Sequence, residues 1–143
     1  MKKIYIASPL FNDSEIAYNK KIKQLLSSYF QVFLPQDDAG KIVDLVKGGM
    51  KIELAGRKMF DDDLKAMKES DIILIILDGR VIDEGAAFEL GYMFAQKKEC
   101  YGFQTDIRKP YLTGNNPMIT YSCKKIFKDT KELLGWAKDY NKS

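Results

Sequence analysis

The stretch Asp71-Ile72-Ile73-Leu74-Ile75-Ile76-Leu77-Asp78-Gly79-Arg80 decides the fold. Its apolar run, Ile72 to Leu77, is far short of the roughly 20 residues a membrane span needs. Rich in isoleucine, Asp71 to Leu77 reads as a β-strand that is apolar on both faces. Such a strand belongs at the centre of a parallel sheet, with helices covering both sides. Asp78-Gly79-Arg80 is turn chemistry, and a helical pattern follows from about Glu84 to Lys97.

Outward from this strand the pattern alternates. On the N-terminal side, Ile52 to Glu69 reads as a helix, preceded by a long connection from Gln36 to Met50 with turn residues at Asp37, Asp38, Gly40, Gly48 and Gly49. Long connections in compact domains tend to carry function. Gln31 to Leu34 is a short strand ended by Pro35. Before it, Tyr18, Ile22, Leu25, Leu26 and Tyr29 form a helical stripe behind an Asn12…Glu15 capping box. Lys3 to Ala7 is the opening strand, broken at Ser8-Pro9. On the C-terminal side come a strand at Cys100 to Gln104 and a loop from Thr105 to Pro117. A final helix is opened by Asp129…Glu132 and faced by Leu133, Trp136, Ala137 and Tyr140. With no repeat and no linker, residues 1–143 read as one α/β domain, a doubly wound parallel sheet of flavodoxin-like type with helices on both faces.

The 143 residues include no histidine, which removes Ser-His-Asp and Cys-His hydrolysis, His-ligated zinc and histidine acid–base catalysis within one chain. Catalysis here must use carboxylates, tyrosine, lysine, cysteine or hydroxyls. Lys+Arg 23 against Asp+Glu 20, both signs interspersed, gives no basic block for a nucleic-acid polymer. The N-terminal apolar run is broken by Pro9, Asn12 and Asp13, unlike a signal peptide. Cys100 and Cys123 read as reduced thiols, so the expected location is the cytoplasm.

Two carboxylates stand where apolar residues are expected. On a wheel of 100° per residue, Ile52, Ala55, Gly56, Met59, Phe60, Ala66 and Met67 form one stripe with Asp63 in it. Asp61 and Asp62 turn toward solvent. Asp63 is either a core carboxylate satisfied by backbone N–H groups or lysine, or a cavity group with a raised pKa. From Gly85 to Gln96 the one charged residue is Glu89, on a helix apolar nearly all round and therefore expected to be buried. Glu89 follows the central strand, at the end of the sheet where open α/β folds bind ligands. Asp83 just before it also suits a helix N-cap. Two inward carboxylates suggest glycosyl transfer, one attacking the anomeric carbon and another serving the leaving group. No Walker or dinucleotide glycine motif is present. A receiver-like module would use Asp78 as phosphoacceptor, but Ala7-Ser8-Pro9 stands where its acidic pair belongs.

Four segments together resemble the nucleoside 2-deoxyribosyltransferase family. They are Ile4-Tyr5-Ile6-Ala7-Ser8-Pro9-Leu10-Phe11, Asp63-Leu64, Asp83-Glu84-Gly85-Ala86-Ala87-Phe88-Glu89-Leu90-Gly91 and Asn116-Pro117-Met118. The resemblance spans nearly the whole chain; Ala86 stands where the family often has threonine. It implies exchange of the base on a 2′-deoxyribonucleoside by double displacement with retention, without cofactor or metal. Glu89 matches the nucleophile, Tyr5 the group orienting it, and Asp63 and Asp83 the acids around base and sugar, one of which protonates the departing base. Phe11 and Gly85 are implied in substrate binding. Asn116 and Met118 match a segment lent to a neighbouring subunit, which makes the expected form a homo-oligomer, a hexamer or a dimer. The implied partners are thus a 2′-deoxyribonucleoside and a free nucleobase, with neither nucleic-acid polymer nor membrane. The alternatives are a nucleoside or nucleotide N-glycosidase on the same scaffold, and a non-catalytic nucleotide-binding or receiver-like module.

Overall fold

The computed structural model describes residues 1–108, 111–112, 114–140 and 142. Its strands are β1 (Lys3–Ala7), β2 (Gln31–Phe33), β3 (Ile72–Ile76), β4 (Glu99–Phe103) and β5 (Lys125–Phe127). They form one parallel sheet in the order β2-β1-β3-β4-β5, the flavodoxin-like order. The helices are α1 (Asp13–Leu26), α2 (Pro35–Asp38), α3 (Ile42–Lys47), α4 (Ile52–Glu69), α5 (Glu84–Ala95), α6 (Pro117–Thr120) and α7 (Thr130–Tyr140).

β3 is central, and its five residues are all buried. Alternation sends Ile72, Leu74 and Ile76 to one face, where they meet Ile22 and Leu26 of α1 and Leu133 and Ala137 of α7. Ile73, Ile75 and Leu77 go to the other face, with Met67 of α4 and Ala86, Leu90 and Met93 of α5. β1 divides likewise: Ile4 and Ile6 join the first cluster, Tyr5 and Ala7 the second. Asp71, just ahead of β3, accepts the Lys3 backbone N–H at 2.9 Å and ties the starts of the two central strands together. Helix starts follow the sequence signals. Asn12 Oδ1 accepts from Glu15 N at 2.9 Å, and Asp129 Oδ1 from Glu132 N at 2.8 Å. The returning glutamates cap one residue earlier than a standard capping box, Glu15 on Phe11 N and Glu132 on Lys128 N.

Three expectations need correcting, and one strand is not legible in the sequence. The connection Gln36 to Met50 is not a plain loop: it holds α2 and α3, each too short to show helical periodicity. α2 begins with proline, and Asp38 folds back to accept the Leu34 N–H at 2.8 Å. The edge strand β5 carries only Phe127 as a fully buried residue, so no alternation marked it. The helix around Glu89 is not buried all round: Ala86, Leu90 and Met93 are buried, but Phe88 is 56% and Phe94 55% exposed. The stripe on α4 likewise surfaces at Ile52 and Phe60. Within the loop Thr105 to Pro117, Lys109, Pro110 and Thr113 lie outside the described residues. Among the described residues no helix is long and apolar enough to cross a membrane, and Cys100 and Cys123 are free thiols.

Candidate active site

Strand order reverses direction between β1 and β3: β1 leads outward through α1 to β2, and β3 leads the other way through α5 to β4. The two connections diverge beyond the carboxyl ends of these strands and open a crevice, the usual ligand position in such sheets. A cavity of about 590 Å³ lies there, lined by Ser8, Leu10 and Phe11 after β1, by Asp83, Gly85 and Glu89 after β3, and by Met59 and Asp63 of α4. Its remaining wall is Ile16 and Lys20 of α1 and the segment carrying Pro35, Gln36 and Lys41 to Val43.

Tyr5 stands behind Glu89. It is fully buried, its ring stacks on Phe33 (centroids 5.4 Å apart), and its Oη donates to Glu89 Oε1 at 2.8 Å. Burial, reinforced by the charges of Glu89 and Asp63, pushes the Tyr5 phenol far above its ordinary range, so it stays a hydrogen-bond donor. The Glu89 carboxyl is pushed up to about 8, first by burial; the Tyr5 hydrogen bond opposes the rise, and the charges of Asp63 and Asp83 add to it. Asp63 is pushed up to about 6, again mainly by burial, with the neighbouring Asp62 adding to it. Asp63 Oδ1 and Ser8 Oγ are buried without a hydrogen-bond partner among the described residues. The core alternative for Asp63, a carboxylate satisfied by backbone or lysine, therefore does not describe that oxygen.

Asp83 does both things the sequence allowed: it lines the cavity, and its Oδ2 caps α5 by accepting Ala86 N–H at 2.8 Å. A Cβ on Gly85 would sit 3.2 Å from that same oxygen, tight enough to disturb it. Phe11 is 77% exposed at the cavity mouth. Asp61 and Asp62 point outward and pair with Arg57 and Lys58 one turn back. Asp78 is occupied: it accepts Thr105 N, Thr105 Oγ1 and Asp106 N at 2.6–2.8 Å, tying the end of β3 to the loop after β4. That use leaves a phosphoacceptor role without support.

Asn116 and Met118 are not brought to Glu89 within the chain. They line a second cavity of about 390 Å³ between the β3–α5 turn and the connection to α6. Asn116 Oδ1 accepts Met118 N–H at 3.0 Å, and Met118 is 77% exposed. Among the described residues no set of three or more acidic or cysteine groups is arranged to hold a metal ion. The long connection from Gln36 to Met50 was expected to carry function, but Gln36 and Lys41 within it were not singled out, and Lys20 of the lining and Asn19 behind it were missed. No motif marks any of the four.

Fold and crevice together define a flavodoxin-like α/β domain with a tyrosine-braced carboxyl cluster at its switch point. A family model described as nucleoside 2-deoxyribosyltransferase matches residues 4–134, and the chain belongs to that family. No curated protein matches it in sequence. The 2-deoxyribosyltransferase of the psychrotolerant bacterium Bacillus psychrosaccharolyticus superposes with TM-score 0.77 at 28% identity, over 92% of this chain and 90% of that one. A conserved protein of Enterococcus faecalis V583 superposes at TM-score 0.72 with 24% identity, covering 98% and 99% of the two chains. The CMP N-glycosidase BcmB of Clostridium botulinum gives TM-score 0.59 at 16% identity, over 97% and 99%; like the Enterococcus protein it shares the fold. Family membership supports a glycosyl-transferring enzyme of nucleoside deoxyribosyltransferase-like type, with nucleosides and nucleobases as its small-molecule substrates.

Proposed function

We propose that this chain transfers the 2-deoxyribosyl group of a 2′-deoxyribonucleoside from one nucleobase to another, through a covalent deoxyribosyl–Glu89 intermediate. A Glu89 oxygen attacks C1′, the N-glycosidic bond breaks with its electron pair going to the base nitrogen, and the base leaves with a proton. A second base then attacks C1′ and returns its N–H proton to the acid that protonated the first, the C1′–oxygen bond to Glu89 breaks, and the carboxylate is restored. Two inversions give net retention. The observation that carries this reading is the Tyr5–Glu89 hydrogen bond at 2.8 Å in a crevice flanked by a second, unpartnered carboxyl oxygen. It holds one Glu89 oxygen and leaves the other for the sugar, which orients the nucleophile.

Asp63 is the better proton donor of the two acids. Asp83 Oδ2 is engaged by the Ala86 N–H, whereas Asp63 Oδ1 is unengaged and its carboxyl holds a proton at higher pH than usual. Burial favours the protonated form of both carboxyls, and of Glu89 most. A bound base presenting an acceptor nitrogen to Asp63 favours the arrangement the reaction needs, Glu89 ionised and Asp63 protonated. Phe11 and Gly85 would flank the substrate. The chemistry balances without cofactor or metal.

The reading takes residues 1–143 as a single domain acting in the cytoplasm as a homo-oligomer, hexamer or dimer, in which Asn116 and Met118 complete a neighbour's site. Their separation from the Glu89 cavity supports this, as does the exposed apolar face of Phe60, Phe88 and Phe94. A second reading, N-glycosidase action on a nucleoside or nucleotide with water as acceptor, draws on Lys20 and Lys41 along the cavity, cations suited to a phosphate. Incubation with thymidine and adenine separates them. Deoxyadenosine and thymine together support transfer; thymine and free deoxyribose without deoxyadenosine support hydrolysis.

A further inference from the structure

The buried residues of α1 are Ile22, Leu26 and, one turn earlier, Asn19. An asparagine on the core face of a helix is unfavourable in propensity and in desolvation unless its amide is used. Asn19 is 1% exposed, and its amide is used twice: Nδ2 donates to Pro9 O at 2.8 Å and to Gln36 Oε1 at 2.9 Å. Gln36 answers by donating its Nε2 to Ile16 O, again on α1, at 3.0 Å. The bonded groups lie on separate walls of the Glu89 cavity. Pro9 sits between Ser8 and Leu10 in the β1–α1 connection, and Gln36 stands at the start of the segment leading to Val43. One side chain thus joins both connections to α1, behind the cavity surface and away from Glu89.

We propose that Asn19 is a positioning residue that sets which nucleobase the crevice accepts, by locking the β1–α1 connection to Gln36. The inference rests on the proposed base transfer. With C1′ at Glu89, the rest of the substrate fills the remaining cavity, and in this proposal the base meets the wall that carries Phe11, Gln36 and Val43. Removing the amide donors leaves the Pro9 carbonyl and the Gln36 oxygen unpaired beside each other, and the two walls lose their fixed separation. The carboxyl cluster, held by β1, α4 and α5, keeps its geometry.

The test is steady-state exchange by wild type, Asn19→Ala and Asn19→Asp, with one deoxyribonucleoside donor and a panel of purine and pyrimidine acceptors. KM for the acceptor base should rise about tenfold, as expected for a lost buried hydrogen bond. The purine-to-pyrimidine ratio of kcat/KM should move toward one, and kcat should change much less. A purely structural role would lower kcat for all bases alike at constant KM; that result, or unchanged base ratios, overturns the proposal. If Asn19→Ala does not fold, Asn19→Ser, which keeps one donor, should show a smaller shift of the same kind, and its absence overturns the proposal too. Wild-type protein that exchanges no base defeats the functional reading itself, and this inference with it.

Discussion

Tyr5 and Glu89, 84 residues apart in sequence, meet through a hydrogen bond of 2.8 Å across the switch point of the sheet. One comes from a central strand buried on both faces, the other from the second turn of the helix that follows the neighbouring central strand. The bond lowers the Glu89 pKa against a larger opposing effect of burial. Tyr5→Phe removes the hydroxyl and keeps the ring on Phe33. Exchange should fall on the order of tenfold to a hundredfold, the usual effect of losing one positioned hydrogen bond at a reacting group. The pH at which Glu89 ionises should rise, because the hydrogen bond that stabilises its charge is gone.

A reaction needing one proton shared between Glu89 and Asp63 has a bell-shaped kcat/KM against pH. The limbs belong to the pair, near about 6 and about 8. With no histidine in the chain, neither limb can come from imidazole. Asp63→Asn should remove the bell and leave a profile set by Glu89 alone, measured with a donor whose base leaves without protonation.

Stability carries the same signature. The folded-state Glu89 pKa lies near 8 against an ordinary value of 4.5. The folded protein therefore gains most from Glu89 below its unfolded pKa and loses that gain as pH rises through about 8. Glu89→Gln stays neutral throughout and keeps an acceptor for Tyr5. Its stability advantage over wild type should be small in acid, grow as pH rises from about 4.5 toward about 8, and level off above that. A constant difference across the range contradicts the assignment of a buried carboxyl to Glu89.

Shared sites predict complementation. Asn116→Ala and Glu89→Ala should each be inactive as pure oligomers, and mixing them after subunit exchange should restore part of the activity. Sites built from an intact Glu89 and a neighbour's intact Asn116 are then formed. Phe94→Glu, placing a charge on the exposed face of α5, should give monomers with little activity. Sedimentation velocity reads the first effect and the exchange assay the second. A fully active monomer contradicts the shared site.

The layered sheet was legible because Ile72 to Leu77 is apolar at every position, which permits a central parallel strand and little else. Asp63 and Glu89 stood out for the same reason: each interrupts an apolar surface whose period was strong. Asn19 interrupts a buried face as well, but its neighbours Tyr18 and Lys20 blur that face in sequence. α2, α3 and β5 were illegible since three to six residues complete too little of a helical or strand period. The outward face of α5 was misread because a lone chain's apolar pattern does not distinguish a core from a surface that another copy could cover.

The central claim is that Glu89 itself carries the sugar. Rapid acid quench of the enzyme with deoxyribonucleoside and no acceptor base, followed by peptide mass spectrometry, tests it directly. The account predicts one deoxyribosyl group on the peptide containing Glu89, formed as the first base is released and lost when a second base is added. Exchange that proceeds with the sugar on another residue, or undiminished in Glu89→Ala, would contradict it.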